Sequence, residues 1–447
     1  MIPPILRLAV LRISIPNLVP GMTIAAPIPH PVQPGSTLLK AGVALDEAIL
    51  AKLRQTGVRE VWIRYPGLTD VAGAASPFVA GASAEMTRLV DATFAASAHS
   101  ASVRLDYNAY RNAVCGLLER LSLHPRTTVY LDQMVGQGCA SVRHASAVCF
   151  ISMLIGLRLE PWLIRNRSKI AAAKAREIAN LGVGALLHDV GMLLLDQETR
   201  DRWGAAGDES DPEFRRHVQL GFDMVKDEIE PTASGIVLNH HQRYDGSGFP
   251  AVPCFGAEPR PLAAARIHAF ARIVGLVDVF DRLRFGIDDR HLAEGGPVPT
   301  VRALAALQRE PWRSRFDPVA LMGLMSVVPP FAPGTLVTLS DGRVVAVVDW
   351  SPLDPCRPVV QDIELRPKRV RGWLVQEPGE RIDLRIRRDL SVVRAEDADV
   401  SLDVYEPPSP RAFDLDALMR TWVDRTGDLD AHPQDSATHR PGASDAA

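Results

Sequence analysis

The strongest constraint on the fold is a succession of segments in which apolar residues recur at helical spacing: residues 85–98, 107–123, 142–159, 170–188, 214–229 and 263–283. Amphipathic helices in such number bury their stripes against one another, so the middle of the chain is expected to be a helical bundle. Upstream, between Ile13 and Ile63, short β-like runs are punctuated by Pro16, Pro20-Gly21, Pro27, Pro29, Pro31 and Pro34-Gly35. They give way to a helical pattern over residues 46–55, in which Ile49, Leu50 and Leu53 share a face. Downstream of Pro329-Pro330, residues 335–339, 344–350 and 359–365 are β-branched runs joined by turn formers such as Asp341-Gly342. The expected fold class is therefore mainly α: an all-helical bundle flanked by a small α+β N-terminal module and a small β-rich C-terminal domain.

A chain of 447 residues with 47% hydrophobic and 23% charged side chains has room for about two to four domains. Fifty basic against 53 acidic residues give a formal charge of -3, which leaves no positive excess to drive binding to a nucleic-acid polymer. The five cysteines (Cys115, Cys139, Cys149, Cys254, Cys356) are scattered and show no C-x-x-C spacing, so neither a disulfide framework nor a structural zinc site is expected, and a reducing cytoplasm fits. Arg7 and Arg12 interrupt the mildly apolar N-terminus, which carries no signal-peptide pattern. The most apolar stretch, residues 145–157, falls short of the roughly 20 residues a bilayer demands and reads as a buried helix, so no membrane span is expected.

The chemistry concentrates in the helical region. His144, His188-Asp189, His217, His240-His241 and Asp278 hold five of the 12 histidines, each on or next to an expected helix. Neutral imidazole and carboxylate suit Mn, Fe or Zn, and seven such groups exceed what one ion usually takes, so two adjacent divalent metals are the natural count. Adjacent His188 and Asp189 can splay around a dinuclear centre, the carboxylate bridging. Two metals about 3.5–4 Å apart lower the pKa of a shared water and hold a phosphoryl oxygen opposite it, which matches phosphate-ester hydrolysis. A lone His-Asp pair at a helix end is commonly structural. The string His240 to Pro250 (HHQRYDGSGFP) is more specific, because its Gly-rich turn brings backbone close to a ligand while two imidazoles face one cavity.

Leu187 to Met192 (LHDVGM) and His240 to Pro250 resemble the two signatures of the HD-GYP family, HDxGK and HHExxDGxGYP. Residues 143–148 (RHASAV) resemble its first ligand helix and residues 271–281 (ARIVGLVDVFD) its last. The N-terminal module, with LVPGM at 18–22, is similar to an accessory domain often found before HD-GYP domains. Members of that family are metal-dependent phosphodiesterases that act on the bacterial second messenger cyclic di-GMP. The resemblance implies an HD-type phosphohydrolase bundle and makes His144, His188, Asp189, His217, His240, His241 and Asp278 the metal ligands, with Asp189 bridging and His188-Asp189 at the heart of catalysis. Ala140 stands where some members carry a Glu for a third metal, so two ions are implied, Fe or Mn before Zn. The implied division is an α+β module at 1–65, a linker at 66–84, a helical connector at 85–126, the HD-GYP-like domain at 127–328, a β-rich domain at 329–405 and a mostly disordered tail at 406–447, with one helix around 415–423.

The resemblance departs from the family around the substrate. Met192 replaces the Lys of HDxGK, an ammonium that lies near the scissile phosphate, and loss of one such group typically costs about 10²–10³ in rate. Gln242 replaces the Glu after the paired histidines, where changes in the outer shell typically cost about 10–100-fold. Phe249 replaces the Tyr of GYP beside Asp245, Gly246 and Gly248, and the family's phosphate-gripping segment becomes Asp281-Arg-Leu-Arg, with Arg284 or Arg290 as substitutes. Two functions are therefore carried forward. The first is a phosphodiesterase that opens cyclic di-GMP to the linear dinucleotide and on to GMP, favoured by the seven retained ligands. The second is a non-catalytic receptor that binds cyclic di-GMP, or a diguanylate cyclase (GGDEF) partner through residues 246–250, favoured by the substitutions. Oligomeric state is left open, a homodimer included. Gly182 and Gly184 read as helix-packing positions, Trp162, Trp203 and Trp312 as core or surface aromatics, and Arg366, Lys368, Arg369 and Arg371 as a solvated strand edge.

Overall fold

A computed structural model describes residues 10–29, 36–56, 58, 60–65, 67–68, 88–90, 92, 106–123, 140–254, 256–286, 297–364, 368–370, 373–375 and 379–405. Most of the helix expected at 85–98, most of the linker, the tail with its helix at 415–423, and Arg290, Arg366 and Arg371 lie outside the described residues.

At the N-terminus β1 (Val10–Ser14) and β2 (Thr23–Ile24) flank β3 (Glu60–Arg64) in an antiparallel sheet. Helix α1 (Glu47–Leu53) opens on Asp46, whose carboxylate accepts the Ile49 amide at 2.7 Å, and it buries Leu50 and Leu53 against the sheet. Leu11, Ile13, Ile24 and Ile63 complete one face of this core.

The helical region comprises α2 (Tyr107–Leu123), α3 (Ala140–Arg158), α4 (Glu160–Asn166), α5 (Ala179–Leu187), α6 (Gln197–Ala206), α7 (Pro212–Val225), α8 (Pro231–Asn239), α9 (Ala269–Phe285), α10 (Thr300–Leu307) and α11 (Pro318–Val327). Helix α3 packs on α5, α9 and α11, and α5 packs in turn on α2 and α8. A helix surrounded this way has no polar face to keep, which explains why Val142, Val148, Phe150, Ile151, Met153 and Ile155 are all buried. By length and composition α3 and the stretch Ala172–Leu194 suffice to cross a bilayer, yet 72% and 67% of their apolar windows are buried inside the protein. Gly182 and Gly184 are packing positions: a Cβ there would lie 2.6 Å from Val114 and 2.4 Å from Ile236.

Three of the departures from the expected helix bounds have a local cause. The segment at 170–188 splits into a single turn, Ala172–Ala175, and α5, because the Arg167 guanidinium donates to the Lys174, Ala175 and Glu177 carbonyls and ends the turn. Helix α7 starts two residues early, capped by Asp211, whose side chain accepts the Glu213 amide at 2.9 Å. Helix α9 starts at Ala269 rather than 263, because Ala264–Arg266 form a 3-10 turn entered through Ala264 at φ 48°.

The C-terminal sheet contains β4 (Leu336–Leu339), β5 (Val344–Asp349), β6 (Val359–Asp362), β7 (Arg381–Asp383), β8 (Val392–Ala395) and β9 (Ala398–Asp399), ordered β7-β6-β5-β4-β8-β9 with antiparallel pairing throughout. Strand β5 is buried on both faces. Val345 and Val347 point into the sheet's own core, whereas Ala346 and Val348, together with Val359, join the core of the N-terminal module. The Arg12 amide donates to the Gly334 carbonyl at 2.7 Å, and Gln361 Nε2 donates to the Gly67 carbonyl at 2.8 Å. The two ends of the described chain thus share one apolar core.

Candidate metal centre

Five helices converge on one point: α3 brings His144, the end of α5 brings His188 and Asp189, α7 brings His217, the end of α8 brings His240 and His241, and α9 brings Asp278. Two glycines permit the approach. A Cβ at Gly191, in the turn after Asp189, would lie 1.9 Å from the His217 carbonyl oxygen, and one at Gly275 would lie 2.2 Å from that of His240.

The imidazoles are oriented by their own helices. Nδ1 of His188, His217 and His240 donates to the carbonyls of Ala185, Phe214 and Val237, three residues back, at 2.8, 2.6 and 2.9 Å. That choice of tautomer leaves each Nε2 lone pair free to point into the cluster. His144 is held through Nδ1 by Asp281 at 2.7 Å, and Asp281 is gripped in turn by Arg143 at 3.2 Å. His241 Nδ1 lies 3.5 Å from Glu209.

The seven side chains fall into two groups, Asp189 with His217, His240 and His241, and Asp189 with His144, His188 and Asp278, and within each group the donor atoms lie within 4.8 Å of one another. Asp189 belongs to both. Its Oδ1 is 3.4 Å from His240 Nε2 and 3.6 Å from His217 Nε2, while its Oδ2 is 3.5 Å from His188 Nε2 and 3.8 Å from His144 Nε2.

Burial pushes the His217 imidazole down to about 4 and lowers His240 and His241 as well, so all three are neutral lone-pair donors near pH 7. Burial opposes the charge on Asp189 and Asp278, but His188 and Arg282 beside the first, and Arg282 and His144 beside the second, outweigh it and hold both carboxyls well below the usual range. Burial likewise opposes a charge on His144, yet its hydrogen bonds to Asp278 and Asp281 prevail and push it up to about 9. Asp189 Oδ1, Asp278 Oδ2, and Nε2 of His217, His240 and His241 are buried without a hydrogen-bond partner among the described residues. Five lone-pair-bearing atoms so placed are costly unless a cation satisfies them. The donor set fits divalent metal binding.

The surrounding residues depart from expectation in several places. Arg284 does not reach the cluster: it is 2% exposed and paired with Glu396 at 2.7 Å, because at its place on α9 the side chain points to the β-rich sheet. Gln242 serves the loop rather than the outer shell of the cluster. Its Nε2 donates to the Pro250 carbonyl at 2.7 Å and its Oε1 accepts the Leu262 amide at 2.9 Å. Asp245 is exposed and builds the turn, accepting from the Ser247 amide and hydroxyl, with Gly246 at φ 83°. Gly248 lies against the His241 carbonyl, where a Cβ would stand 2.3 Å away. Phe249 stacks on His241 with ring centroids 4.5 Å apart, and Met192 packs into the apolar cluster of Leu195, Trp203, Phe214, Val218 and Phe249.

Four participants were not singled out from sequence: Arg143, Glu209, Asp281 and Arg282. Arg282 had a signal, since it stands four residues beyond Asp278 and so shares its face of α9. Glu209 had none; it comes from the loop between α6 and α7 and ion-pairs with Arg243 at 2.7 Å. Beside the cluster lies a cavity of about 620 Å³ bordered by Trp203, Arg215, Arg243, Arg282, Trp312 and Arg315. Trp203 and Trp312 are therefore cavity walls, each with a second aromatic behind it: Phe214 stacks on Trp203 at 3.7 Å and Phe316 on Trp312 at 6.2 Å.

Comparison with known proteins agrees with this geometry. Residues 142–283 match the HD domain family model. The chain is 26% identical over 341 residues to the cyclic di-GMP phosphodiesterase PA4108 of Pseudomonas aeruginosa, covering 69% of this chain and 75% of that protein. It is 29% identical over 110 residues to the cyclic di-GMP phosphodiesterase response regulator RpfG of Xanthomonas campestris pv. campestris, covering 24% of this chain and 27% of that one. A solved structure, Bd1817, an HDG"Y"P protein from Bdellovibrio bacteriovorus, covers 70% of this chain and 98% of its own at 15% identity with a TM-score of 0.39, a loose likeness that fixes nothing further. Residues 142–283 thus carry an HD domain over the converging helices, and the similarity to these phosphodiesterases bears out the resemblance of the two signature strings to the HD-GYP family.

Proposed function

We propose that the protein hydrolyses a phosphodiester bond of cyclic di-GMP at a centre of two divalent ions, Fe or Mn before Zn, held by His144, His188, Asp189, His217, His240, His241 and Asp278. The observation that carries this reading is the position of Asp189, whose two oxygens face different donor groups. Ions bound there would supply Lewis acidity toward a phosphoryl oxygen and a water of lowered pKa. The protein's own groups supply orientation: the helix carbonyls fix the imidazole tautomers, and Asp281 fixes His144.

The cavity beside the cluster fits an anionic purine dinucleotide. Four arginines against Asp208 and Glu209 leave its lining cationic, and the half-buried Trp312 contributes an aromatic ring to its wall. The linear dinucleotide is the first product, with GMP following if the second bond is cut. The same cavity serves the second reading, a receptor for the nucleotide, which the uncharged Met192 favours.

The test is an assay of cyclic di-GMP hydrolysis by anaerobically purified protein supplied with Mn or Fe(II). Appearance of linear dinucleotide or GMP, lost in His188→Ala and Asp189→Ala, supports the phosphodiesterase. Saturable cyclic di-GMP binding without any product would overturn it in favour of the receptor.

A further inference from the structure

Arg282 stands where the cluster meets the cavity. Its Nε donates to Asp278 Oδ1 at 2.9 Å and its Nη2 to Asp189 Oδ2 at 3.0 Å, while its guanidinium carbon lies 5.1 Å from the centroid of Trp203. The residue borders the cavity, yet its Nη1 is buried and has no hydrogen-bond partner among the described residues. A guanidinium is a planar fork of five N–H donors that matches phosphate oxygens, and an unmatched pair of them beside a cationic cavity is costly unless an anion arrives. The cavity's other arginines have commitments of their own. Arg243 is ion-paired through Nη2 with Glu209 at 2.7 Å, and although its Nε and Nη1 are also buried without a partner among the described residues, it makes no contact with Asp189 or Asp278. Arg215 donates to the Glu209 carbonyl at 2.7 Å, and Arg315 lies over Trp312 at 5.2 Å. On the neighbouring turn, Met192 packs into the apolar cluster that contains Trp203 and carries no charge.

We propose that Arg282 is the substrate-contacting cation of this site, its Nη1 edge donating to a nonbridging oxygen of the scissile phosphodiester. It thereby supplies from α9 the positive charge that Met192 does not supply from the turn after Asp189. The inference rests on reading the centre as a cyclic di-GMP phosphodiesterase. The two carboxylate contacts and the Trp203 face hold the guanidinium in place, so the donor is aligned before substrate enters.

The experiment compares full-length wild type, Arg282→Ala, Arg282→Lys, Met192→Lys and the double variant Arg282→Ala/Met192→Lys, all loaded with manganese. Bound manganese, kcat and KM for cyclic di-GMP, and the Kd of the linear dinucleotide are measured for each. Arg282→Ala is expected to keep the wild-type manganese content, to lose about 10²–10³ in kcat, and to bind the linear dinucleotide about tenfold more weakly, with Arg282→Lys falling between. Met192→Lys is expected to restore about tenfold or more of the loss in the Arg282→Ala background. Turnover and dinucleotide affinity of Arg282→Ala within about threefold of wild type would overturn the proposal. So would a manganese loss that both Arg282→Ala and Arg282→Lys share and Met192→Lys does not reverse, since Arg282 would then be a structural counter-ion. A wild type without turnover would sink the phosphodiesterase reading instead, and the dinucleotide Kd values would still decide whether Arg282 grips phosphate.

Discussion

At the scale of single residues the centre is governed by which atoms are already spoken for. Three imidazoles give their Nδ1 protons to carbonyls of their own helices, so the direction of each Nε2 is set by backbone rather than by a remote partner. Gln242 shows the same principle in the adjoining loop. It is 4% exposed and spends both ends of its amide on backbone, so a carboxylate in its place would lose the donor to Pro250. Gln242→Glu, the change toward the family signature, is expected to cost about 1–3 kcal/mol, read as a lowered urea midpoint; an unchanged midpoint would mean that the loop does not depend on this amide. The seven cluster residues were readable in the sequence because metal ligation admits few side-chain types and their order matches two known strings. Glu209 was not, since a loop glutamate is an ordinary surface residue until a fold places it beside a buried imidazole, and Arg282 offered only its spacing of four residues from Asp278.

At the scale of elements, the long helices follow from apolar periodicity, and their junctions do not. The break after Ala175 depends on a guanidinium eight residues earlier in the chain, which no local pattern announces. Closeness of packing is equally nonlocal: Gly275 reads as a mild helix weakener, yet it is the point where α9 touches the end of α8. Gly275→Ala is expected to push Asp278 away from His240, to destabilise the fold by about 1–3 kcal/mol, and to lower metal content. Denaturant titration and metal quantification read the two effects, and a variant with wild-type values in both would show that the approach of α8 and α9 is dispensable.

At the scale of the whole molecule, both flanking β regions were foreseen from their β-branched runs and turn formers, but their common core was not. The sequence of β5 is apolar at every position from Val345 to Val348, which signals burial on both faces without naming what covers each. The β-rich sheet is also fastened to the helical bundle. Glu396 pairs with the buried Arg284 of α9 and accepts the amide and hydroxyl of Thr300 at the start of α10. Glu396→Ala would remove the carboxylate from that buried guanidinium, whose Nε still donates to the Val298 carbonyl, and from the donors of Thr300, at an expected cost of about 1–3 kcal/mol in a denaturant titration; a loss below about 0.5 kcal/mol would mean that the fastening contributes nothing. Because α9 also carries Asp278 and Arg282, the sheet and the cluster meet on one helix.

The central claim is that Asp189 joins two metal positions, and anomalous X-ray scattering from crystals of manganese-loaded protein tests it most directly. Two anomalous peaks about 3.5–4 Å apart are expected, one on each side of the Asp189 carboxylate, with both weakened in Asp189→Ala. A single peak, or two peaks that persist undiminished in Asp189→Ala, would contradict the account.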